Sequence, residues 1–280
     1  MKFKLLIVVL LQIIILTSCA RFVLEDKEFS VYETEHFVFF CQPDSKMEKD
    51  IQKIASYSEK GFAFFNDFMD TNINIKIDTY LFDSQDSTSY SKLLKSLNYE
   101  FDFPAFTDLN GTIYLCYDYV DFDYSLASEV VLHEATHVIQ NTFLYIFAPG
   151  IYEGHAEFME LKFGLYKNNG YSSESTIFSN LQPQIKNIVL KKNEMPSFIF
   201  GLNFAEFQGL SINDFKRETG YRYDIGASFI AFIIDKYDIK KLKNWFYKTN
   251  KDNFKQNFKN SYGVDFDTEE KNWYNLLMKE

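Results

Sequence analysis

Glycine, proline and cysteine are scarce in this chain of 280 residues, which contains 11 Gly, 5 Pro and 3 Cys. The chain has no low-complexity tract and no glycine-rich phosphate loop, and three cysteines cannot form a disulfide scaffold. Basic residues are also in deficit, because 29 Lys and Arg oppose 39 Asp and Glu for a formal net charge of -10. A surface of this sign does not suit a phosphate backbone, so we expect no nucleic-acid partner.

Aromatic residues, by contrast, are abundant: the chain holds 31 Phe, 19 Tyr and 2 Trp, and 46% of its residues are hydrophobic. A chain of this length and composition can bury a sizeable core, so disorder is not expected over most of it.

The N-terminus indicates export. A short positive segment precedes an apolar run from Leu5 to Leu16, which is too short for a membrane span of about 20 residues but fits a secretory signal. The run ends in the sequence LTSC, which resembles the lipobox of bacterial lipoproteins. The resemblance implies a signal peptide over residues 1–18, a lipidated Cys19, and attachment to a membrane of the bacterial cell envelope, outside the cytoplasm. The alternative is an ordinary signal peptide.

The chain reads as a sheet-containing part followed by a helical part. After a tether over residues 19–30, strands are predicted at His36–Cys41, at Ile73–Phe82 and around TIYLCY (112–117). Capping boxes predict helices that begin at Ser45 with Glu48 and at Asp267 with Glu270. We therefore expect an α+β fold, with a mixed-sheet subdomain over residues 31–164 and a mostly helical subdomain over 165–280. Both Cys41 and Cys116 lie in predicted strands, and free thiols and a disulfide remain alternatives.

The stretch HEATH begins at His133 and carries the clearest chemistry. His133 and His137 are four residues apart, so on a helix both imidazoles leave the same face, one turn apart. That spacing lets two ring nitrogens reach one zinc ion at about 2.0–2.1 Å. Glu134 lies beside the pair, where a general base for a bound water would be. The alternative is the solvated face of an ordinary amphipathic helix.

A catalytic zinc site needs a third protein ligand, and the stretch YEGHAEFME supplies candidates. Glu153 follows His137 by enough residues for the chain to turn and return on a second helix. Glu157 lies one turn further on the same face, where it can accept a hydrogen bond from the second ring nitrogen of a ligand histidine. His155 is a competing ligand, but a helix would point it about 200° away from Glu153. We expect His155 to pack in the core or to face the substrate.

Together, HEATH and YEGHAE resemble the gluzincin metallopeptidases, and most closely the peptidase MA-like proteins, which pair HExxH with a glutamate in an EG-x-A-E context. The segment YDIGASFIAFI (223–233) resembles the Y-x-K-G-A segment of related zinc aminopeptidases. The resemblance implies a zincin-like fold, with His133, His137 and Glu153 as ligands of one zinc ion and Glu134 as the base. It also implies that the hydroxyl of Tyr223 stabilises the oxyanion, a role for which Tyr221 competes.

The sequence departs from that pattern at three points. The tryptophan usual before the EG motif is absent, with Gly150 and Ile151 in its place. Ile225 replaces the lysine of Y-x-K-G-A, and no GxMEN motif, which binds the free amino group in the aminopeptidases, is present. Aminopeptidase activity is therefore not supported, and the expected substrate is a peptide or protein, with TIYLCY as a strand that could pair with it.

These features predict a lipid-anchored, zinc-dependent metallopeptidase. The alternatives are a noncatalytic surface-binding lipoprotein that retains the fold and a structural zinc, and a peptidase that is active only with a partner. Sequence alone leaves the oligomeric state open.

Overall fold

The computed structural model describes residues 28–83, 87–96, 105–108, 110–116, 124–144, 149–169, 173–192, 212–246, 249 and 253–279. The predicted signal peptide, Cys19 and most of the predicted tether lie outside the described residues, as does the side chain of Tyr221.

The described residues contain one five-stranded mixed sheet with the strand order β1-β2-β3-β5-β4. The inner pairings β2–β3 and β3–β5 are parallel, whereas β1 and β4 pair antiparallel to their neighbours at the two edges. The strands are β1 (Ser30–Glu33), β2 (Phe37–Cys41), β3 (Ile77–Phe82), β4 (Ala105–Thr107) and β5 (Ile113–Cys116).

Helices make up most of the rest of the described chain. They are α1 (Lys46–Phe68), α2 (Ser87–Ser96), α3 (Tyr124–Ile139), α4 (Pro149–Asn169), α5 (Glu174–Lys192), α6 (Ile212–Lys236), α7 (Ile239–Phe246), α8 (Phe254–Tyr262) and α9 (Phe266–Met278). A π-helical turn (Gln140–Leu144) follows α3 directly. The α+β class with a mixed sheet is confirmed. No helix of the described residues combines the length and the apolar character needed to cross a membrane.

Local sequence signals located the three inner strands, although β3 begins at Ile77 rather than at Ile73, and they missed the edge strands β1 and β4. Ser45 accepts a hydrogen bond from the backbone N–H of Glu48 at 3.0 Å, as the first capping box predicts. The second box was wrong: α9 begins at Phe266, and its N-cap is Asp265, which makes no side-chain capping bond. Asp267 and Glu270 therefore lie inside the first two turns of α9, and Asp267 does not occupy the N-cap position.

The two cysteines of the sheet are free and buried. Cys41 pairs with Leu81 on β3, and Cys116 lies on β5, on the opposite side of β3. Two strand spacings, each of about 4.8 Å, lie between the two cysteines. Their separation therefore exceeds the limit of roughly 7 Å between the Cα atoms of a disulfide.

Strand β5 is not available to an added strand, because β3 pairs with it on one side and β4 on the other. The prediction that TIYLCY could pair with a substrate was therefore wrong for its Ile113–Leu115 portion, which has a partner strand on both sides. Among the described strands, β1 and β4 are the edges.

The described chain divides into two compact units. One comprises the residues up to Tyr57 together with Lys76–Ala127, and it contains the sheet. The other comprises Ser58–Ile75 and Ser128–Glu280. This division differs from the boundary at residue 164 that composition suggested, because α4 packs extensively on α6 and so belongs with the later helices.

Candidate metal centre

The HEATH segment lies in the last turns of α3, where every residue from Val131 to Gln140 is buried. His133 and His137 are each 6% exposed, and Glu134 is 7% exposed. The two imidazole rings lie 5.0 Å apart between centroids. This helix face is therefore not a solvated surface, and its three polar side chains need partners inside the protein.

Glu153 on α4 supplies a carboxylate to the two histidines. Its Oε2 atom lies 3.1 Å from His137 Nε2 and 3.7 Å from His133 Nε2. The three residues form a group whose ligand atoms lie within 4.8 Å of one another, as the binding of a single metal ion requires. The three predicted ligands are thus brought together, and they could hold a metal ion.

The Glu153 carboxylate provides a test of whether a metal ion fits. Its Oε2 atom is buried and has no hydrogen-bond partner among the described residues, although two imidazole nitrogens face it. A buried carboxylate oxygen without a hydrogen bond is costly unless a cation satisfies it. A metal ion held by both Nε2 atoms and this oxygen would satisfy all three.

Glu160 orients the first histidine. His133 Nδ1 makes a hydrogen bond of 3.0 Å with Glu160 Oε2, whereas Glu157 Oε2 lies 3.7 Å away, beyond hydrogen-bond range. Glu153, Glu157 and Glu160 follow at helical spacing and share one face of α4. The sequence identified the correct face of α4 but favoured Glu157, whereas Glu160, one turn further along, lies closer to the ring.

Gln140 orients the second histidine, and sequence reasoning missed it. His137 Nδ1 lies 2.8 Å from Gln140 Oε1, at the first residue of the π-helical turn. The signal was present in HEATHVIQ, because a residue three positions after a histidine lies near it on a helix.

These two acceptors determine which nitrogens are free to bind a metal. A carboxylate and an amide oxygen can only accept, so both Nδ1 atoms carry protons and donate them. The Nε2 atoms then face Glu153, and each can offer a lone pair to a metal ion. Histidine ligands commonly have their other ring nitrogen fixed in this way.

The charges at the site are strongly coupled. Burial by itself lowers the pKa of His133, but interactions with Glu153, Glu160 and Glu134 outweigh it and raise the pKa well above its usual value. Burial by itself raises the pKa of Glu153, but the nearby His137 and His133 hold it well below its usual range. In the absence of a metal, a proton on the imidazole therefore takes the place of the cation.

Glu157 lies in a different environment from Glu153. Burial, followed by repulsion from Glu160, raises the pKa of Glu157 to about 8, although His133 opposes the shift. Near neutral pH its carboxyl is therefore largely protonated, and it adds little negative charge beside the histidines.

His155 is fully buried, and its ring contacts the aromatic rings of Phe65 and Phe246 edge-on. Burial, together with the charge of His137, lowers its pKa to about 3, so the ring is neutral. Its Nδ1 atom lies 3.0 Å from Gln140 Nε2. His155 is thus not in the ligand group. Its hydrogen bond to the site is made through Gln140.

Helix α6 approaches α4 very closely at two glycines. A Cβ atom on Gly154 would lie 2.3 Å from the Cα atom of Gly226, and one on Gly226 would lie 2.1 Å from the carbonyl oxygen of Gly150. Only glycine permits this approach of the two backbones. The glycines of YEGHAE and YDIGAS therefore form the crossing point of the two helices, next to Glu153 and Tyr223.

The crossing places Tyr223 at the site. Its ring lies 5.6 Å from the His133 ring between centroids. Burial, followed by the charges of Glu153 and Glu134, raises the pKa of Tyr223 well above its usual value. The hydroxyl therefore stays protonated and is able to donate a hydrogen bond.

No protein-family model matches this chain, and no curated protein sequence matches it significantly.

Proposed function

We propose that this protein is a zinc-dependent metallopeptidase with a zincin-like fold. The observation that supports the proposal most directly is the arrangement of the three candidate ligands. Two imidazole Nε2 atoms converge on one unpartnered carboxylate oxygen, while both Nδ1 atoms are engaged elsewhere. A set of two histidines and one glutamate leaves a fourth tetrahedral position open, as catalytic zinc sites do.

The donor set supports zinc but also suits other metals. Two histidines and one carboxylate can also bind iron(II), so the metal has to be measured. The presence of Glu134 favours hydrolytic chemistry, because metal binding alone does not require an acid next to the first ligand. Zinc held by His133, His137 and Glu153 would supply Lewis-acid polarisation of a peptide carbonyl and would acidify water.

Two further side chains take part in the proposed reaction. Glu134 accepts a proton from the attacking water and then delivers it to the leaving amine of the peptide. Tyr223 donates a hydrogen bond to the oxygen that becomes negatively charged when the carbonyl is attacked. The protonated hydroxyl of Tyr223 and its place beside His133 fit this role.

We also propose that the enzyme acts outside the cytoplasm of a bacterium, anchored to a membrane through lipidated Cys19. The positive segment, the apolar run and the LTSC sequence support this location. A peptide or protein is the proposed substrate, and the net charge of -10 gives no support to a nucleic-acid partner.

The test is to express residues 20–280, measure bound metals by mass spectrometry, and assay cleavage of a mixed peptide library. Glu134→Gln is the matched control, since it keeps the shape of the side chain but cannot act as a base. We expect one zinc per chain in both proteins and cleavage only by the unmodified protein. Bound zinc with no cleavage dependent on Glu134 would instead favour the noncatalytic surface-binding lipoprotein. A protein that stays metal-free when zinc is supplied would overturn the site itself.

A further inference from the structure

Gln140 connects the two helices that carry the candidate ligands. Its Oε1 atom accepts the hydrogen bond from His137 Nδ1 at 2.8 Å. Its Nε2 atom donates to the carbonyl oxygen of Tyr152 at 2.9 Å and to His155 Nδ1 at 3.0 Å. One buried amide therefore contacts α3 through a ligand histidine and α4 at the residue directly before Glu153.

The hydrogen-bond roles of this amide are determined by its partners. A backbone carbonyl can only accept, so the nitrogen end of the amide must face Tyr152 and the oxygen end must face His137. The oxygen end in turn requires a proton on His137 Nδ1, which leaves Nε2 as the nitrogen with a free lone pair. The orientation of Gln140 thereby determines which tautomer His137 adopts when it is neutral.

His155 supports this orientation from the other side. The nitrogen of Gln140 donates to it, so His155 Nδ1 accepts and the ring proton lies on Nε2. A buried neutral imidazole held between two aromatic rings cannot easily rotate away. If the amide were flipped, its oxygen would face the Tyr152 carbonyl and that hydrogen bond would be lost. His137 and His155 would also have to change tautomer to keep their hydrogen bonds to the amide.

A second contact, made by Tyr152 on α4, also restrains the His137 ring. The Tyr152 ring stacks on it with a centroid separation of 4.3 Å and an interplanar angle of 13°. The Tyr152 backbone is held by Gln140, and the Tyr152 ring is held against His137. The position of Glu153 relative to His137 is therefore coupled to a single side chain at position 140.

We propose that Gln140 is the positioning residue of the metal centre: it selects the metal-binding tautomer of His137 and sets the distance between His137 and Glu153. His155 serves as the acceptor that holds Gln140 in the required orientation. This inference rests on the proposed metal site but not on peptidase activity. It also gives a role to Gln140 and His155, two polar residues of HEATHVIQ and YEGHAE that are neither proposed ligands nor the proposed base.

The test replaces Gln140 with methionine, which has a similar shape but cannot form these hydrogen bonds. Thr142→Ala is the matched control, because Thr142 lies on the same π-helical turn and is exposed. Its hydroxyl donates a hydrogen bond to the Val138 carbonyl one turn back. Three quantities are compared in the full chain from residue 20. They are the zinc dissociation constant measured against a competing chelator, the visible spectrum with cobalt(II) in place of zinc, and the histidine tautomers of the metal-free protein from ¹⁵N NMR.

We expect Gln140→Met to weaken zinc binding about 10–100-fold, the usual effect of removing a partner of a ligand histidine. We also expect it to alter the cobalt(II) spectrum and to remove the preference of His137 for the Nδ1–H tautomer. Gln140→Glu keeps the acceptor for His137 but loses both donors, so it should retain the tautomer and still weaken zinc binding. Thr142→Ala should match the unmodified protein in all three quantities.

Unchanged zinc affinity and an unchanged His137 tautomer in a folded Gln140→Met protein would overturn the inference. If Gln140→Met does not fold, the zinc affinity of Gln140→Glu provides the test, and an unchanged affinity would overturn the inference. A failure of the proposed function looks different: zinc binds and depends on Gln140, but no peptide is cleaved. If the unmodified protein binds no zinc, the proposed function and the positioning role are both overturned.

Discussion

Gly154 on α4 and Gly226 on α6 lie backbone against backbone, so close that a single methyl group on either would overlap the other helix. Glu153 and Tyr223 lie within three residues of this crossing on their respective helices. The candidate metal ligand and the candidate oxyanion donor are therefore positioned by the same contact.

Gly226→Ala is expected to force α4 and α6 apart. The added methyl group would lie 2.1 Å from the carbonyl oxygen of Gly150, and a backbone atom cannot move aside as a flexible side chain can. We expect a loss of about 1–3 kcal/mol in the free energy of unfolding, together with weaker zinc binding. Denaturant unfolding and zinc titration measure the two effects.

Gly61→Ala is the control for that substitution, because Gly61 also lies inside a helix but has room. A methyl group there would meet side-chain atoms at 3.4 Å, an ordinary contact. Its stability should stay the same or rise, since alanine favours helix over glycine by up to about 1 kcal/mol. Equal stability of the two variants would contradict the tight crossing.

Glu160→Leu is expected to weaken zinc binding about 10–100-fold, because Glu160 accepts the hydrogen bond that orients His133. Glu157→Leu is the matched control on the same helix face, and its 3.7 Å separation from His133 Nδ1 predicts a smaller effect. Zinc competition against a chelator ranks the two proteins. If Glu157→Leu weakened zinc binding more than Glu160→Leu does, Glu157 would be the residue that orients His133, as the sequence suggested.

Tyr223→Phe is expected to lower kcat by about 10²–10³-fold if the hydroxyl stabilises the oxyanion. Zinc affinity should fall far less than kcat, since the phenol is not among the ligands, although it interacts with the Glu153 carboxylate. Steady-state kinetics on a cleaved peptide, with zinc affinity measured in parallel, separate these effects. An unchanged kcat would remove Tyr223 from the mechanism.

Zinc binding is expected to release a proton and to weaken as the pH falls. The raised pKa of His133 means that the metal-free site holds a proton near neutral pH, and a metal ion must displace it. Each displaced proton makes the affinity fall by up to about tenfold per pH unit below that pKa. Calorimetry in two buffers of different ionisation enthalpy counts the protons, and an affinity that is constant from pH 6 to 8 would contradict the prediction.

Glu270, which is not part of the candidate metal centre, is expected to make the stability of the protein depend on pH. Burial, followed by repulsion from Asp267, raises its pKa from the ordinary 4.5 to about 7, although Lys255 opposes the shift. The unfolded chain loses this proton at lower pH than the folded protein does. The free energy of unfolding should therefore fall between about pH 4.5 and pH 7, and stay at the lower value above that range.

Glu270→Gln cannot ionise at this position, so it should not lose stability between about pH 4.5 and pH 7. The Tm of the variant minus that of the unmodified protein should therefore increase across this pH range. We expect a relative gain on the order of 2–4 °C by pH 8, equivalent to about 1 kcal/mol after allowance for solvent screening. Thermal unfolding at pH 4 and pH 8 measures it, with the pH 4 difference as the internal control. A Tm difference that is the same at both pH values would show that Glu270 does not titrate as inferred.

Local periodicity was enough to place the candidate ligands on their elements. The four-residue spacing of His133 and His137 puts both rings on one helix face whatever the rest of the chain does, because helical geometry alone requires it. The three inner strands and the capping of α1 by Ser45 also followed from local signals, whereas the edge strands β1 and β4 did not.

Tertiary structure decided what depends on packing between distant segments. Whether Glu157 or Glu160 reaches His133 depends on how the two helices pack, and residue spacing within one helix does not determine that packing. Similarly, the pairing of β4 with β5 removed a strand edge that looked open in the sequence. The amino-acid sequence by itself therefore determined which side chains could meet a metal ion. The packing of α4 on α3 and α6 decided which of them lie close enough together to share one, because hydrogen bonds and metal ligation need atoms that the folded chain brings close together.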